Sequence, residues 1–225
     1  MGMIVETYSA KGRSFENEDF LLWQCLGEDK LIAIVADGMG GLDAGALAAR
    51  KAGEAIVSYV SKHFADDTPD QVLTHAIRAA DEALRLIRQE MHINLGTSIA
   101  ALILSGGDIY FTWLGNVRVY RVVEERAQLL TEDHSVNVGY GNRRLTRCLK
   151  GIGNTDNVPV GHSRITEGTS IVICTDGLYE NEGRDIFANI NLLKTGQMVP
   201  VDDASLILIK ADENKLSQVS QVKNR

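Results

Sequence analysis

The sequence predicts an α+β fold built on antiparallel sheets. Three observations carry this: short strand-like runs at the N-terminus, two consecutive amphipathic helices after them, and a succession of strands over most of the remaining chain. Strands and helices grouped in this way, rather than alternating, argue against a parallel sheet of βαβ units. At 225 residues, 44% hydrophobic and 24% charged, the chain has the length and composition of one soluble globular domain. Residues 1–212 are expected to form it, with 213–225 a polar C-terminal tail.

The elements follow in order. MIVETYS (3–9), DFLLWQC (19–25) and LIAIVA (31–36) are apolar runs separated by turns containing Gly and Asp, which reads as three strands. Asp43 is placed to start the first helix, in which Leu47, Ala48, Ala52, Ala55, Ile56, Tyr59 and Val60 recur on one face. Thr68-Pro69-Asp70-Gln71 opens the second: Thr68 caps, Pro69 suits the first helical position, and Gln71 completes a capping box. Leu73, Ile77, Ala80, Leu84 and Ile87 form its apolar stripe. SIAALIL (98–104) and DIYFTWL (108–114) flank a Gly-Gly-Asp turn, a hairpin signal, and VRVYRVV (117–123) and a short AQLL follow. Residues 131–157 are polar with weak periodicity and receive no element. SIVIC (170–174), a short helix near 184–194 and ASLILIK (204–210) complete the series.

Charge and cysteines exclude several function classes. Lys and Arg number 23 against 30 Asp and Glu, a net charge of −7, which opposes nucleic acid as a partner because a phosphate backbone calls for a basic stripe. No apolar run approaches the about 20 residues that span a bilayer, so no membrane partner is expected. Cys25, Cys148 and Cys174 are an odd set without close pairing, and MGMIVETYS lacks the basic-then-apolar pattern of a signal peptide. A reduced, cytoplasmic protein is the expectation.

The acidic residues carry the chemistry. Glu18 and Asp19 precede the second strand, Asp37 closes the third, Asp176 in VICTDGL closes another, and Asp202 and Asp203 precede the last. Brought together, such carboxylates repel one another unless a counter-charge joins them, and a hard divalent cation supplies it. One Asp-Gly dipeptide alone is more simply a turn; the repeated context of apolar strand then Asp-Gly is not explained that way. Behind Asp37 the stretch LIAIVADGMGGLDAG is dense in glycine, which implies a close backbone approach; at Gly38 the missing side chain would let its carbonyl near an ion. Arg13, a few residues before Glu18, offers a guanidinium for a phosphate monoester.

These residues sit in eight ordered landmarks: GRSFENED, VADGMGG, LGTSIAALIL, WLGNVRVYRV, LTEDHS, RLTRCLKGIG, VICTDGL and DDASLILI. The set resembles the metal-dependent protein phosphatases, the PPM family or protein phosphatase type 2C, and a compact bacterial-type member in particular. The resemblance implies an αββα sandwich of two antiparallel sheets flanked by helices, with two Mg²⁺ or Mn²⁺ ions at one end. It implies that Asp37 bridges both ions, that Asp176 and Asp202 complete the first, and that the Gly38 carbonyl and Glu18 serve the second, with Asp19 behind them. Arg13 would bind the substrate phosphate. The implied reaction is hydrolysis of phosphoserine and phosphothreonine on a phosphorylated protein by a metal-activated water, in a monomer working opposite a serine/threonine kinase.

The sequence also departs from the family's pattern. One extra residue lies between GR and NED, which sets Arg13 off its usual spacing. Asn116 stands where relatives carry an aspartate associated with a third metal, so that site is expected to be weak or absent. Val136–Arg144 is a shortened flap, and Met39 stands where some members carry a histidine. His134 reads as a loop histidine rather than a catalyst. The rival reading is a pseudophosphatase, which binds a phosphoprotein or kinase without turnover; Asn116 and the short flap favour it, and Asp37, Asp176 and Asp202 oppose it. A glycine-loop nucleotide module lacks the βαβ unit it would need.

Overall fold

A computed structural model describes residues 2–39, 44–124, 126–139, 142–153, 155–180 and 185–211. The chain order is β1 (Met3–Ala10), β2 (Asp19–Gly27), β3 (Lys30–Gly38), α1 (Gly45–His63), α2 (Pro69–Met91), β4 (Thr97–Ser105), β5 (Asp108–Leu114), β6 (Arg118–Val123) and β7 (Arg126–Leu129). It continues with β8 (Ser135–Gly139), β9 (Asn142–Leu145), β10 (Val160–Arg164), β11 (Thr169–Cys174), α3 (Asp176–Tyr179), α4 (Ile186–Lys194) and β12 (Ala204–Ala211). All pairings are antiparallel: one sheet runs β1-β12-β11-β6-β7, the other β10-β5-β4-β3-β2, and β8-β9 is a separate hairpin.

Alternation along the central strands explains the layering. In β3, Ile32, Ile34 and Ala36 face the core under α1 and α2, while Leu31, Ala33 and Val35 face the core between the sheets. In β12, Ile207 and Ile209 enter the same inter-sheet core, while Leu206 and Leu208 face α3 and α4. A strand buried on both faces reads as an unbroken apolar run, as LIAIVA and ASLILIK do. The layers are therefore helices, sheet, sheet, helices, the expected αββα sandwich.

Most boundaries agree with the sequence within two residues. Gln71 Oε1 accepts from the Thr68 N–H at 3.4 Å, as the capping motif predicts, and also from the Thr68 hydroxyl at 2.8 Å. Asp185 caps α4 by accepting from Ala188 N–H at 2.8 Å. Asp43, the expected start of α1, lies outside the described residues, as do Gly40, Gly41 and the tail 213–225. Four elements went unpredicted: the short helix α3, and β8, β9 and β10, the three strands all in polar sequence. β10 is an edge strand whose exposed and half-buried residues alternate without a buried one, so it lacks an apolar signal.

Candidate active site

The two sheets end side by side, and their ends carry the acids. Across β2, β3 and β4 the register sets Asp19, Asp37 and Ser98 in one row. From the other sheet, Asp176 follows β11 and Asp202 and Asp203 precede β12, and these strands are themselves partners. A hydrogen bond fastens sheet to sheet at this end: the Thr175 hydroxyl donates to Asp19 Oδ2 at 2.9 Å while accepting from Ser205 N–H at 2.9 Å.

Asp203 is a clamp rather than an open ligand. Its carboxylate accepts from Gly12 N–H and Glu18 N–H, each at 2.7 Å, which fixes the loop after β1 against the start of β12. Gly38 N–H donates to the Glu18 carbonyl at 3.0 Å. A Cβ at Gly38 would run into the Gly45 backbone and stand 2.8 Å from the Glu18 carbonyl oxygen; one at Gly45 would stand 2.6 Å from Glu18 Oε1. Gly38 and Gly45 thus let a strand end, a helix start and the Glu18 side chain occupy one corner, a packing reason for glycine beyond the ion contact expected at Gly38.

A cavity of about 420 Å³ opens here. Of the expected site residues, Glu18, Asp37, Gly38, Asp176 and Asp202 line it. Asp19 pairs with Asp37 across β2 and β3 and does not line the cavity. Arg13 is exposed, held by a backbone bond from its N–H to Val201 O at 3.1 Å, and the cavity is lined by its neighbour Ser14 instead. Residues not anticipated as site residues complete the wall: Asp133, Ser135, Arg143 and Leu145 on one side and Glu180 on another.

The carboxylates of the cavity raise one another's pKa values. Burial, then Asp176, Asp19, Asp202 and Asp203, raises the Asp37 carboxyl well above the ordinary range. Burial pushes Asp19 up to about 8 against the hydrogen bonds that favour its ionised form. Asp176 rises to about 7 through burial, Glu180 and Asp202, opposed by the Asn116 amide. Glu18 is raised by burial and by Asp203, Glu16 and Asp202. Buried oxygens without partners among the described residues, Asp19 Oδ1, Ser98 Oγ and Asn116 Oδ1, add unmet polar capacity. These residues fit divalent cations. Among the described residues no three acid, histidine or cysteine side chains close a single cage. Mg²⁺ and its analogues take one or two carboxylates and keep several waters.

Supporting contacts set the far wall. Asn116 Nδ2 donates to Asp176 Oδ2 at 2.7 Å, and the Tyr179 hydroxyl donates to the Asn116 carbonyl at 2.7 Å. Arg118 lies over the Tyr179 ring, 3.6 Å from its centroid. His134 accepts from Gly115 N–H through Nδ1 at 3.2 Å and stacks on Trp113, with its pKa lowered chiefly by burial.

Residues 8–201 match the sequence profile of the family described as protein phosphatase 2C. The chain is 23% identical over 202 residues to a putative protein phosphatase of Mycoplasma genitalium, covering 78% of this chain and 77% of that one. It is 25% identical over 233 residues to the serine/threonine phosphatase stp of Listeria monocytogenes, covering 89% of each. Among solved structures, the catalytic domain of the serine/threonine protein phosphatase PstP in complex with two manganese ions superposes with a TM-score of 0.72 at 18% identity, over 92% of this chain and 97% of that one. The S. agalactiae serine/threonine phosphatase gives 0.72 at 21% identity, over 94% and 100%.

Proposed function

The chain belongs to the protein phosphatase 2C family, and we propose that it hydrolyses phosphoserine and phosphothreonine on proteins with two divalent cations, Mg²⁺ or Mn²⁺. The observation that carries this is the setting of Asp37: a strand-end carboxylate lining a cavity with Glu18, Asp176 and Asp202, its charged form disfavoured by burial and by the neighbouring carboxylates. In the same reading Asp37 would serve both ions, Asp176 and Asp202 would hold one, and the Gly38 carbonyl and Glu18 would hold the other. Cations bound there lower the pKa of water and neutralise the phosphoryl oxygens.

The chain's own residues orient this centre. Asn116 ties down Asp176 Oδ2, so the carboxylate presents a fixed oxygen. Because that amide is committed to Asp176 and is neutral, it supports a two-ion centre rather than a three-ion one. Thr175 orients Asp19 behind Asp37, and Asp203 holds the Glu18 backbone in place. Met39 lines the cavity without offering a proton. Phosphoprotein substrates imply a protein kinase that supplies them, and a monomer is expected in solution. A cytoplasmic setting is supported by the free thiols of Cys148 and Cys174, and no helix among the described residues is long and apolar enough to cross a membrane.

The test is release of phenolate from a small aryl phosphate. Turnover is expected with Mn²⁺ and is lost when a chelator removes it. Metal binding without turnover would instead favour the binding-only reading that Asn116 suggests.

A further inference from the structure

The hairpin β8-β9 turns one face to the carboxylate cavity. Arg143 and Leu145 alternate on one strand, and both line it together with Ser135. Arg143 is the only basic side chain among the described residues lining this otherwise acidic cavity. Among the described residues its ion-pair contact is Nη1 to Asp133 Oδ2 at 3.3 Å. Asp133, with its side chain 7% exposed, is already gripped by Arg118 through Nε to Oδ1 at 2.9 Å and Nη2 to Oδ2 at 2.7 Å. Arg118 is in turn fixed by the Tyr120 hydroxyl at 3.2 Å and by the Tyr179 ring. When Arg143 leaves Asp133, therefore, no buried charge is left uncompensated. Its guanidinium has five N–H donors, and its side chain is 46% exposed.

We propose that Arg143, rather than Arg13, is the guanidinium that binds the substrate phosphate, leaving Asp133 to Arg118 as it does so. This rests on the phosphatase reading. A phosphate monoester dianion presents paired oxygens to which a guanidinium fork binds bidentately, and a lysine cannot reproduce that fork. The Arg118–Asp133 pair then positions Arg143: it holds the guanidinium at the cavity wall before substrate arrives.

The experiment compares wild type with Arg143→Gln, Arg143→Lys and Arg13→Ala. Two quantities are read in each Mn²⁺-loaded protein: KM and kcat for a phosphothreonine peptide, and the Kd of inorganic phosphate by calorimetry. Circular dichroism and thermal melting check that each variant is folded. Arg143→Gln should raise KM and the phosphate Kd roughly tenfold or more with kcat within about threefold, the loss of a charged bidentate contact. Arg143→Lys should recover part of this, and Arg13→Ala should leave both constants near wild type. Wild-type constants in Arg143→Gln, or the loss appearing in Arg13→Ala instead, would overturn the assignment. A wild type that binds phosphate through Arg143 but turns over no substrate would sink the phosphatase reading and leave the anion site standing.

Discussion

Asp37 meets Asp19 across one strand pair and Ser98 across the other, and faces Asp176 from the opposite sheet. Like charges held this closely favour protonation, and the sign of the pH dependence follows. Asp176 and Asp19 titrate at about 7 and about 8 in the folded, metal-free protein, against about 3.9 unfolded. Groups whose folded pKa is raised contribute stability that is full below pH about 4 and is lost as pH rises through 7 and 8. The metal-free protein should therefore melt at a lower temperature at pH 8.5 than at pH 6, and saturating Mn²⁺ should remove most of that difference. A melting temperature that rises with pH in the metal-free protein would contradict the cluster. By the same reasoning Asp176→Asn should lose activity by a factor of 100 or more, as expected for a ligand to a catalytic ion. Its metal-free form should be at least as stable as wild type, because one charge has left the cluster. Full activity in that variant would remove Asp176 from the centre.

The element that the sequence hid is the hairpin β8-β9. Its valines, Val136 and Val138, are 48% and 57% exposed, while Ser135 and Arg143 line the cavity. The alternation is inverted relative to an ordinary half-buried strand, since the inner face covers a polar site and no hydrophobic core. The interior strands were legible for the opposite reason: two buried faces leave an apolar run that survives any choice of period. Asp37, Asp176 and Asp202 were legible as well, because each stands where an apolar strand begins or ends. Arg143 was not, since its role depends on a hairpin that brings it over residues more than 100 positions away. A second hidden link lies in α2, where Asp81, 5% exposed, accepts from Gly151 N–H at 2.8 Å and Gly153 N–H at 2.7 Å. Leu149, just before this loop, pairs with Thr97, whose hydroxyl donates to the Asp37 carbonyl at 2.8 Å. Asp81→Ala should cost about 2–3 kcal/mol in a urea denaturation experiment, as buried donors lose their acceptor. A change within about 0.5 kcal/mol would show the clamp to be dispensable.

At the scale of the molecule, stacking two antiparallel sheets does what no local motif could. It places the ends of β3 and β11 and the start of β12 around one cavity, and a hydrogen bond from Thr175 to Asp19 holds the sheets in that relation. Acids that are 139 residues apart in sequence, Asp37 and Asp176, thereby share one charge balance. The helices lie outside and leave the sheet ends open to a protein substrate. The most direct test of a metal-dependent phosphatase centred on Asp37 is phosphate release from a phosphothreonine peptide by wild type and Asp37→Asn. It is measured across a Mn²⁺ titration before and after chelation. Wild type should turn over with Mn²⁺, stop on chelation and recover on re-addition, while folded Asp37→Asn stays inactive at every concentration. A chelated wild type at full rate, or an active Asp37→Asn, would contradict it.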